Sequence, residues 1–457
     1  MLKKSILGLL VLFSMWVLVA CGDEDVSSGL SKDETSDKNL EILGDAVKYD
    51  PNKLINDGEP ITLELWTWGT EDVFQKQIDA YKAIYPNVDI KIVVNPWDEM
   101  WTKLPLALQG EDGPALFNIH NSQHDNLINF LAPYDIPLED LKADFSGVAS
   151  HVIDGEVHYF DLGIMTGSIF YNKELWKEAG LTEEDIPKTW EELAAVAQLL
   201  TKKDDSGRMV QAGFNFNGDY QAMILGLPYQ KKALLFGEDG QSINYNSEAR
   251  IEFTEFLHDM YSELEVGSPN FGDDSTQSFG NGQSAMVYKW GWFQGELDNN
   301  YPDVEWGVFQ TPYMTDSTPF AIDRYNGEST LGINKNAPSA EQEVAQDFLR
   351  FVLAGDEFSI DYALMNSTFP TKISLANHPD IMANPVLNVL SENVDRYMWP
   401  GPFPAIVETV SGQVFEEIFY NGQEISTALS QAQDKLQNEM KNSSFISVEK
   451  SYKYFNE

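Results

Sequence analysis

The sequence predicts an α/β fold: an open sheet with helices on its faces, in a chain with room for two domains. Three observations lead there. The chain has 457 residues, beyond the roughly 250–300 at which a single hydrophobic core stops growing. Short runs rich in β-branched and aromatic residues alternate with segments of helical apolar spacing, the order that lays helices onto a sheet. No repeat with a period of about 20–50 residues is present, which excludes a solenoid or propeller.

The elements follow in chain order. "ITLELWTW" at 61–68 reads as a strand entering a core. After the break at "GTED", "VFQKQIDAYKAIYP" at 73–86 carries apolar residues at helical spacing and stops at Pro86. "VDIKIVV" at 88–94 is a second strand, and "WDEMWTKLPLALQG" at 97–110 returns to helix. The pattern recurs in "GSIFYNKELWKEAGL" at 167–181, a strand turning into a helix that ends at Gly180. "TWEELAAVAQLLTKK" at 189–203 opens on Thr189 with Glu192 three residues later, the order of a capping box. Amphipathic helices are expected at 248–263 and 341–355.

Composition narrows the partners. With 30 basic against 72 acidic residues the formal net charge is -42, so a nucleic acid is excluded as partner for want of the Lys and Arg that neutralise phosphates. The same charge favours solubility. Cys21 is the sole cysteine, which rules out an internal disulfide and any Cys-based zinc or iron–sulfur site.

The amino terminus gives that cysteine a use. Residues 1–20 run from Lys3-Lys4 through an apolar stretch to small residues, the order of a secretory signal peptide, and the stretch is too short for a membrane span. Leu18-Val19-Ala20-Cys21 resembles the bacterial lipobox. That resemblance implies cleavage before Cys21 and a lipid anchor on its thiol, where two or more acyl chains such as palmitate hold a protein stably on a membrane. A catalytic thiol is disfavoured, since the neighbours of Cys21 are acidic and nothing there lowers its pKa. From 21 to 59 Ser and acidic residues dominate without a period, which reads as a flexible tether with a reach of about 35 Å.

The motifs of the common chemistries are absent: no Walker loop, HExxH, GxSxG or dinucleotide glycine fingerprint. His120 and His124 in "NIHNSQHDN" are four apart and could share a helical face as metal ligands, but the polar segment reads better as a turn at a strand end. A glycosidase needs a carboxylate pair. Glu71 with Asp72, or Glu328, could be nominated, although solvated surface acids are the better default in so acidic a chain. The tryptophans say more. Trp66, Trp68, Trp97, Trp101, Trp290, Trp292 and Trp399 fall at element ends or in turn-rich segments, where ring faces and nearby polar groups suit sugar C–H faces and hydroxyls.

A resemblance enters at "SIFYNKELWKEAGLTEEDIPKTWEEL", residues 168–193, which is similar to the bacterial extracellular solute-binding proteins of family 1, the maltodextrin-binding-like receptors of ABC importers. "GNGQSAMVYKWGW" at 280–292 resembles the family's G-K-x-A-M…G-x-W stretch, "GESTLGINKNAPSAEQEVAQDFLRFVL" at 327–353 its return crossover and helix, and "FPTKIS" at 369–374 a further family turn. The resemblance spans about 60–445. Two segments depart from it: Gly113-Pro114-Ala115 stands where the family often has Gly-Pro-Asp, and "HYFDLG" lacks the usual proline.

The resemblance implies a two-lobe, periplasmic-binding-protein-like fold with the ligand cleft between the lobes. The lobes it implies are 60–164 plus 327–368 and 165–326 plus 369–457. It implies a monomer without cofactor, metal or catalysis, lipid-anchored on the extracellular side of the cell membrane, which closes on a carbohydrate and hands it to permease subunits. The ligand contacts it implies are Trp66, Trp68, Glu71, Trp97 and Trp101, then Asn118, His120, Asn121 and Gln123, all on the first lobe. On the second lobe and return crossover it implies Asp219, Tyr220, Trp290, Trp292, Arg324, Tyr325, Asn326 and Glu328. Two alternatives stand beside it: a surface glycoside hydrolase or lyase, and a receptor of the same fold for a polyamine or other charged solute.

Overall fold

The protein is described by a computed structural model covering residues 40–69 and 71–456. Cys21, the signal segment and the tether up to residue 39 lie outside the described residues, as do the side chains of 328 and 329.

Among the described residues the main sheet has eleven strands, of which eight run to five residues or more: β1 (Ile61–Thr67), β2 (Val88–Val94), β3 (Leu116–His120), β4 (Asp161–Asn172), β5 (Met209–Asn215), β6 (Ser284–Trp290), β7 (Trp306–Gln310) and β8 (Asp323–Ile333). They lie in the order β2-β1-β3-β8-β4-β6-β5, with β7 on the far half of β4. The β1 pairings with β2 and β3 are parallel, as is that of β5 with β6, whereas β8 and β4 run antiparallel to their neighbours. The expected elements are present: helices α1 (Glu71–Ile84), α2 (Trp97–Ala107), α3 (Lys173–Glu178), α4 (Trp190–Leu200), α5 (Glu248–Ser262) and α6 (Ser339–Ala354). At the start of α4 the Thr189 hydroxyl accepts from the Glu192 N–H and the Glu192 carboxylate from the Thr189 N–H, so the capping box forms and contributes about 1 kcal/mol.

Two large clusters of buried residues flank the crossing strands. One gathers Leu63, Leu65, Phe74, Ile78, Leu116, Leu331 and Phe348; the other Ile169, Trp190, Phe214, Met223, Met286 and Tyr288. β4 serves both: residues 161–166 pair with β8, and residues 167–172 pair with β6 and β7. β8 does likewise, pairing with Tyr397–Met398 at one end and with β3 at the other. Close approach at the crossing demands glycine: a Cβ on Gly327 would fall 1.8 Å from the Asp161 carboxyl, and one on Gly167 would fall 2.0 Å from the Tyr288 ring.

One boundary moves. Residues 40–59, expected within the tether, pack onto the first cluster, where Val47, Tyr49 and Ile55 are buried. The Asp144 carboxylate accepts from the Val47 N–H at 2.8 Å, and the Tyr49 hydroxyl donates to Asp347 at 2.9 Å. A composition dominated by Ser and acids hid these three apolar anchors. Among the described residues no helix is long and apolar enough to cross a membrane.

At the start of β8, Asp323 is fully buried, accepting from the Tyr288 hydroxyl at 2.7 Å and the Arg324 N–H at 2.7 Å. Burial pushes its carboxyl up to about 7, against those hydrogen bonds, which act to lower it. Its proton is therefore kept by the folded chain and released by the unfolded chain between about pH 4 and 7, so this group's contribution to stability is present below about pH 4, is lost as pH rises, and stays lost above about 7. Chemical denaturation across that range is expected to show the decline in the native chain and its absence in Asp323→Asn, with a difference of up to about 4 kcal/mol at neutral pH. Parallel pH profiles of the two proteins would refute it.

Candidate ligand-binding cleft

The candidate site is assembled where β1, β2, β3 and β8 end or cross. The ends of β1 and β2 bring Trp68, Trp97 and Trp101 together with ring centroids 5.0–5.2 Å apart, and His120 from the end of β3 lies 5.0 Å from Trp97. These contacts are mostly edge-to-face, the arrangement that ring quadrupoles favour. Trp97 remains 42% exposed. Trp66, half-buried, packs against the same apolar cluster as Trp68 and Trp101, its indole N–H donating to the exposed Glu64 at 2.9 Å.

His120 lies between the Ser122 hydroxyl, 2.8 Å from Nδ1, and the Asn326 amide, which donates to Nε2 at 3.0 Å. Burial lowers its pKa, opposed by Glu408 and Asp161 and assisted by Arg324, so the neutral imidazole is favoured. Asn326 and Arg324 share one face of β8 because strand side chains alternate. Arg324 is buried with its guanidinium 4.8 Å from the Trp290 ring and 5.3 Å from Phe403, and Nη2 donates to Glu408 at 3.1 Å. Its Nε is buried without a hydrogen-bond partner. His120, Ser122, Arg324, Asn326, Phe403 and Glu408 line a floor that encloses about 10 Å³, space for one water.

Further along, Lys289 and Asp219 form a buried ion pair at 3.0 Å, and Ser275 donates to the same carboxylate at 2.5 Å. Burial raises the Asp219 pKa while Lys289 lowers it. Trp292 stands beside this pair, 44% exposed, with the Lys289 ammonium 5.6 Å from its ring.

Several expected contacts are wholly or partly engaged in other packing. Tyr220 is buried in the second cluster, its hydroxyl 3.2 Å from Thr254, because its helix turns the ring inward. Asn121 is buried and donates to Asp161 at 2.9 Å and to the Gly327 carbonyl at 2.6 Å, tying β3 to the crossing strands. Gln123 is buried and bonded to Asn126, and Asn118 is buried within β3. Glu71 is exposed in the first turn of α1, where a carboxylate suits the helix N-terminus. Tyr325 borders the floor as well, but its ring stacks with Trp399 across 6.2 Å and the two also line a neighbouring cavity of about 670 Å³. The backbone of Glu328 pairs with His120.

The possible metal pair is divided: His124 Nδ1 lies 2.7 Å from the Tyr159 hydroxyl, apart from the partners of His120. Among the described residues no group of three or more His, Cys, Asp or Glu could hold a metal ion. Sequence reasoning missed Ser122, Phe403 and Glu408. Only the turn-rich "WPGPFP" at 399–404 hinted at an aromatic near a loop; Glu408 is one acid among 72.

The profile of the family described as bacterial extracellular solute-binding protein matches residues 67–355. An arabinooligosaccharide-binding protein of Halalkalibacterium halodurans is 25% identical over 309 residues, 63% of this chain and 66% of that protein's length. The diacetylchitobiose binding protein DasA of Streptomyces coelicolor is 24% identical over 340 residues, 70% of this chain and 75% of that protein. The crystal structure of a cyclic alpha-maltosyl-1,6-maltose binding protein from Arthrobacter globiformis superposes with a TM-score of 0.67 at 21% identity, covering 84% of this chain and 100% of that one. It shows the two-lobe fold.

The His120 environment is testable by NMR. Its imidazole is expected to titrate below the ordinary 6.5, whereas Asn326→Ala, which admits water to Nε2, is expected to move the midpoint back toward 6.5. A midpoint at or above 6.5 in the native chain would contradict this environment.

Proposed function

Because the chain belongs to the bacterial extracellular solute-binding protein family, we propose that it is the receptor of a carbohydrate importer, capturing a neutral oligosaccharide in a cleft between two lobes and presenting it to a membrane permease. The observation that carries this reading is the floor beneath Trp97, where a neutral histidine, an amide and a charge-matched Arg324–Glu408 pair converge. Ring faces cover sugar C–H groups, and the floor offers donors and acceptors for hydroxyls. Arg324 Nε, buried without a partner, offers a donor, and the Glu408 carboxylate offers an acceptor.

Charge selects among solutes. Arg324 is met by Glu408 and Lys289 by Asp219, so among the described side chains no unmatched cation at the floor awaits an anion and no unmatched carboxylate awaits a polyamine. The net charge of -42 further repels anions. Glu408 is the one carboxylate among the described side chains lining the floor, whereas hydrolysis by paired acids needs two. This favours a receptor over a hydrolase.

The lobes are assigned to residues 60–164 with 327–368, joined by 40–59, and to 165–326 with 369–457. β4 and β8, each serving both buried clusters, are the strands about which they turn. A ring that touches Arg324 and His120 together needs the two sides of the floor to part, and contacts to both sides then favour closure by differential affinity. The contacts proposed are Trp68, Trp97, Trp101, His120, Trp290, Trp292, Arg324, Asn326 and Glu408. Cys21, after removal of residues 1–20, carries the lipid anchor.

Two experiments test this. In thermal unfolding of the soluble body against neutral oligosaccharides, the same glycans bearing a uronate, polyamines and metals, one intact neutral glycan is expected to raise the Tm with concentration. Glu408→Gln is expected to weaken that glycan roughly tenfold and to improve the uronate form. Shortened glycan after incubation would mean an enzyme, and uronate binding equal to neutral binding in the native chain would reject the charge argument. For the anchor, Cys21→Ser is expected to move the protein from the membrane fraction to the medium; retention at the membrane would reject lipidation.

A further inference from the structure

The chain does not stop at its last long helix, Ile425–Glu439. The segment that follows is fastened to the second buried cluster. Phe445 is buried against Phe236 with ring centroids 5.0 Å apart. The Val448 N–H and the Ser447 hydroxyl both donate to the Pro400 carbonyl at 3.1 Å. The buried Glu449 carboxylate accepts from the Tyr229 hydroxyl, from the Leu235 N–H at 2.8 Å and from the Phe236 N–H at 3.1 Å. Tyr452 closes the path by donating to the Phe320 carbonyl at 3.0 Å.

Just before this fastened stretch, the tail reaches across. The Ser443 hydroxyl donates to one oxygen of Asp125 at 2.6 Å, and the Ser444 hydroxyl donates to the other at 3.1 Å. Asp125 belongs to the short helix His124–Leu127, and Leu127 packs with the cluster that holds Trp66, Trp68 and Trp101. That helix follows directly on His120 and Ser122 of the floor, while Pro400, to which the tail is tied, adjoins Trp399 and Gly401 on the opposite side of the same floor. The carboxylate is thus gripped by two hydroxyls whose backbone belongs to the other side of the cleft.

We propose that the C-terminal tail is a clasp: Ser443, Ser444 and Asp125 are positioning residues whose bonds form as the cleft closes and break as it opens, slowing release of a ligand they never touch. This rests on the receptor reading. Hydrogen bonds to an ionised carboxylate are the stronger kind, but these are partly solvent-exposed and water replaces them on opening, so their effect is moderate. It falls on release because the bonds exist only in the closed form, whereas encounter takes place with the open one.

The test uses the full chain and the neutral glycan that stabilises it. In stopped-flow fluorescence, Ser443→Ala/Ser444→Ala and Asp125→Ala are each expected to raise the dissociation rate about 3- to 30-fold with the association rate within twofold of native, and Ser443→Thr, which keeps the hydroxyl, to stay near native. The triple variant is expected to match Asp125→Ala, since both remove one contact. Small-angle scattering without glycan is expected to give a larger radius of gyration for the variants than for the native chain. Native dissociation rates together with native scattering in the variants would overturn the clasp while leaving the receptor intact. A native chain that binds no glycan would instead defeat the receptor reading, with the scattering comparison still deciding the clasp.

Discussion

The antiparallel pairing of β4 with β8 is the constraint on which the rest of the molecule depends. Its register, Tyr325 opposite Thr166 through Ser329 opposite Asp161, decides which side chains of β8 face the cleft. A slip by one residue would turn Arg324 and Asn326 to the far face and bring Tyr325 forward. The register is held at Asp161, which is buried, bonded by the Asn121 amide and 3.5 Å from His151. Gly327, which pairs with Ile164, must be glycine because the Asp161 carboxyl occupies the place a Cβ would take. A residue expected to touch ligand, Asn121, is thereby spent on holding the strands that carry the proposed contacts.

The two crossing strands also explain why one sheet can serve two cores. Each strand is long enough to finish its pairing in one cluster and begin in the other, so the chain passes between them without loose connections. Backbone groups remain bonded along the crossing, which spares the cost of exposing them in a buried position.

At the floor the economy is electrostatic. A guanidinium buried between Trp290 and Phe403 would be costly alone, and Glu408 makes it tolerable by pairing with it. The same pairing removes the field that would draw an anion. His120 is kept neutral by burial, and so the site keeps hydrogen-bonding capacity while carrying little net charge. The tail segment 443–452 extends this design outward, since its buried anchors at Phe445 and Glu449 hold two otherwise ordinary serines at the one place where they meet Asp125.

Much of this was legible in one dimension. The periods of 61–67, 71–84 and 88–94, the capping box at Thr189 and Glu192, and the aromatic ends of the first strands were fixed locally, because side-chain period and cap chemistry act within a few residues. The resemblance in 168–193 and 280–292 extended this to the family and fold. The tether's inner limit, the burial of Tyr220, Asn118 and Gln123, and the pairing of Arg324 with Glu408 were decided only when distant segments met. Arg324 and Glu408 are 84 positions apart and Asp125 and Ser443 are 318 apart; no periodicity reaches so far. The sequence by itself determined which elements form and what chemistry the chain lacks. Tertiary structure decided which polar groups face a cleft and which are consumed in holding it together, because that depends on strand register and on the partner each buried group finds.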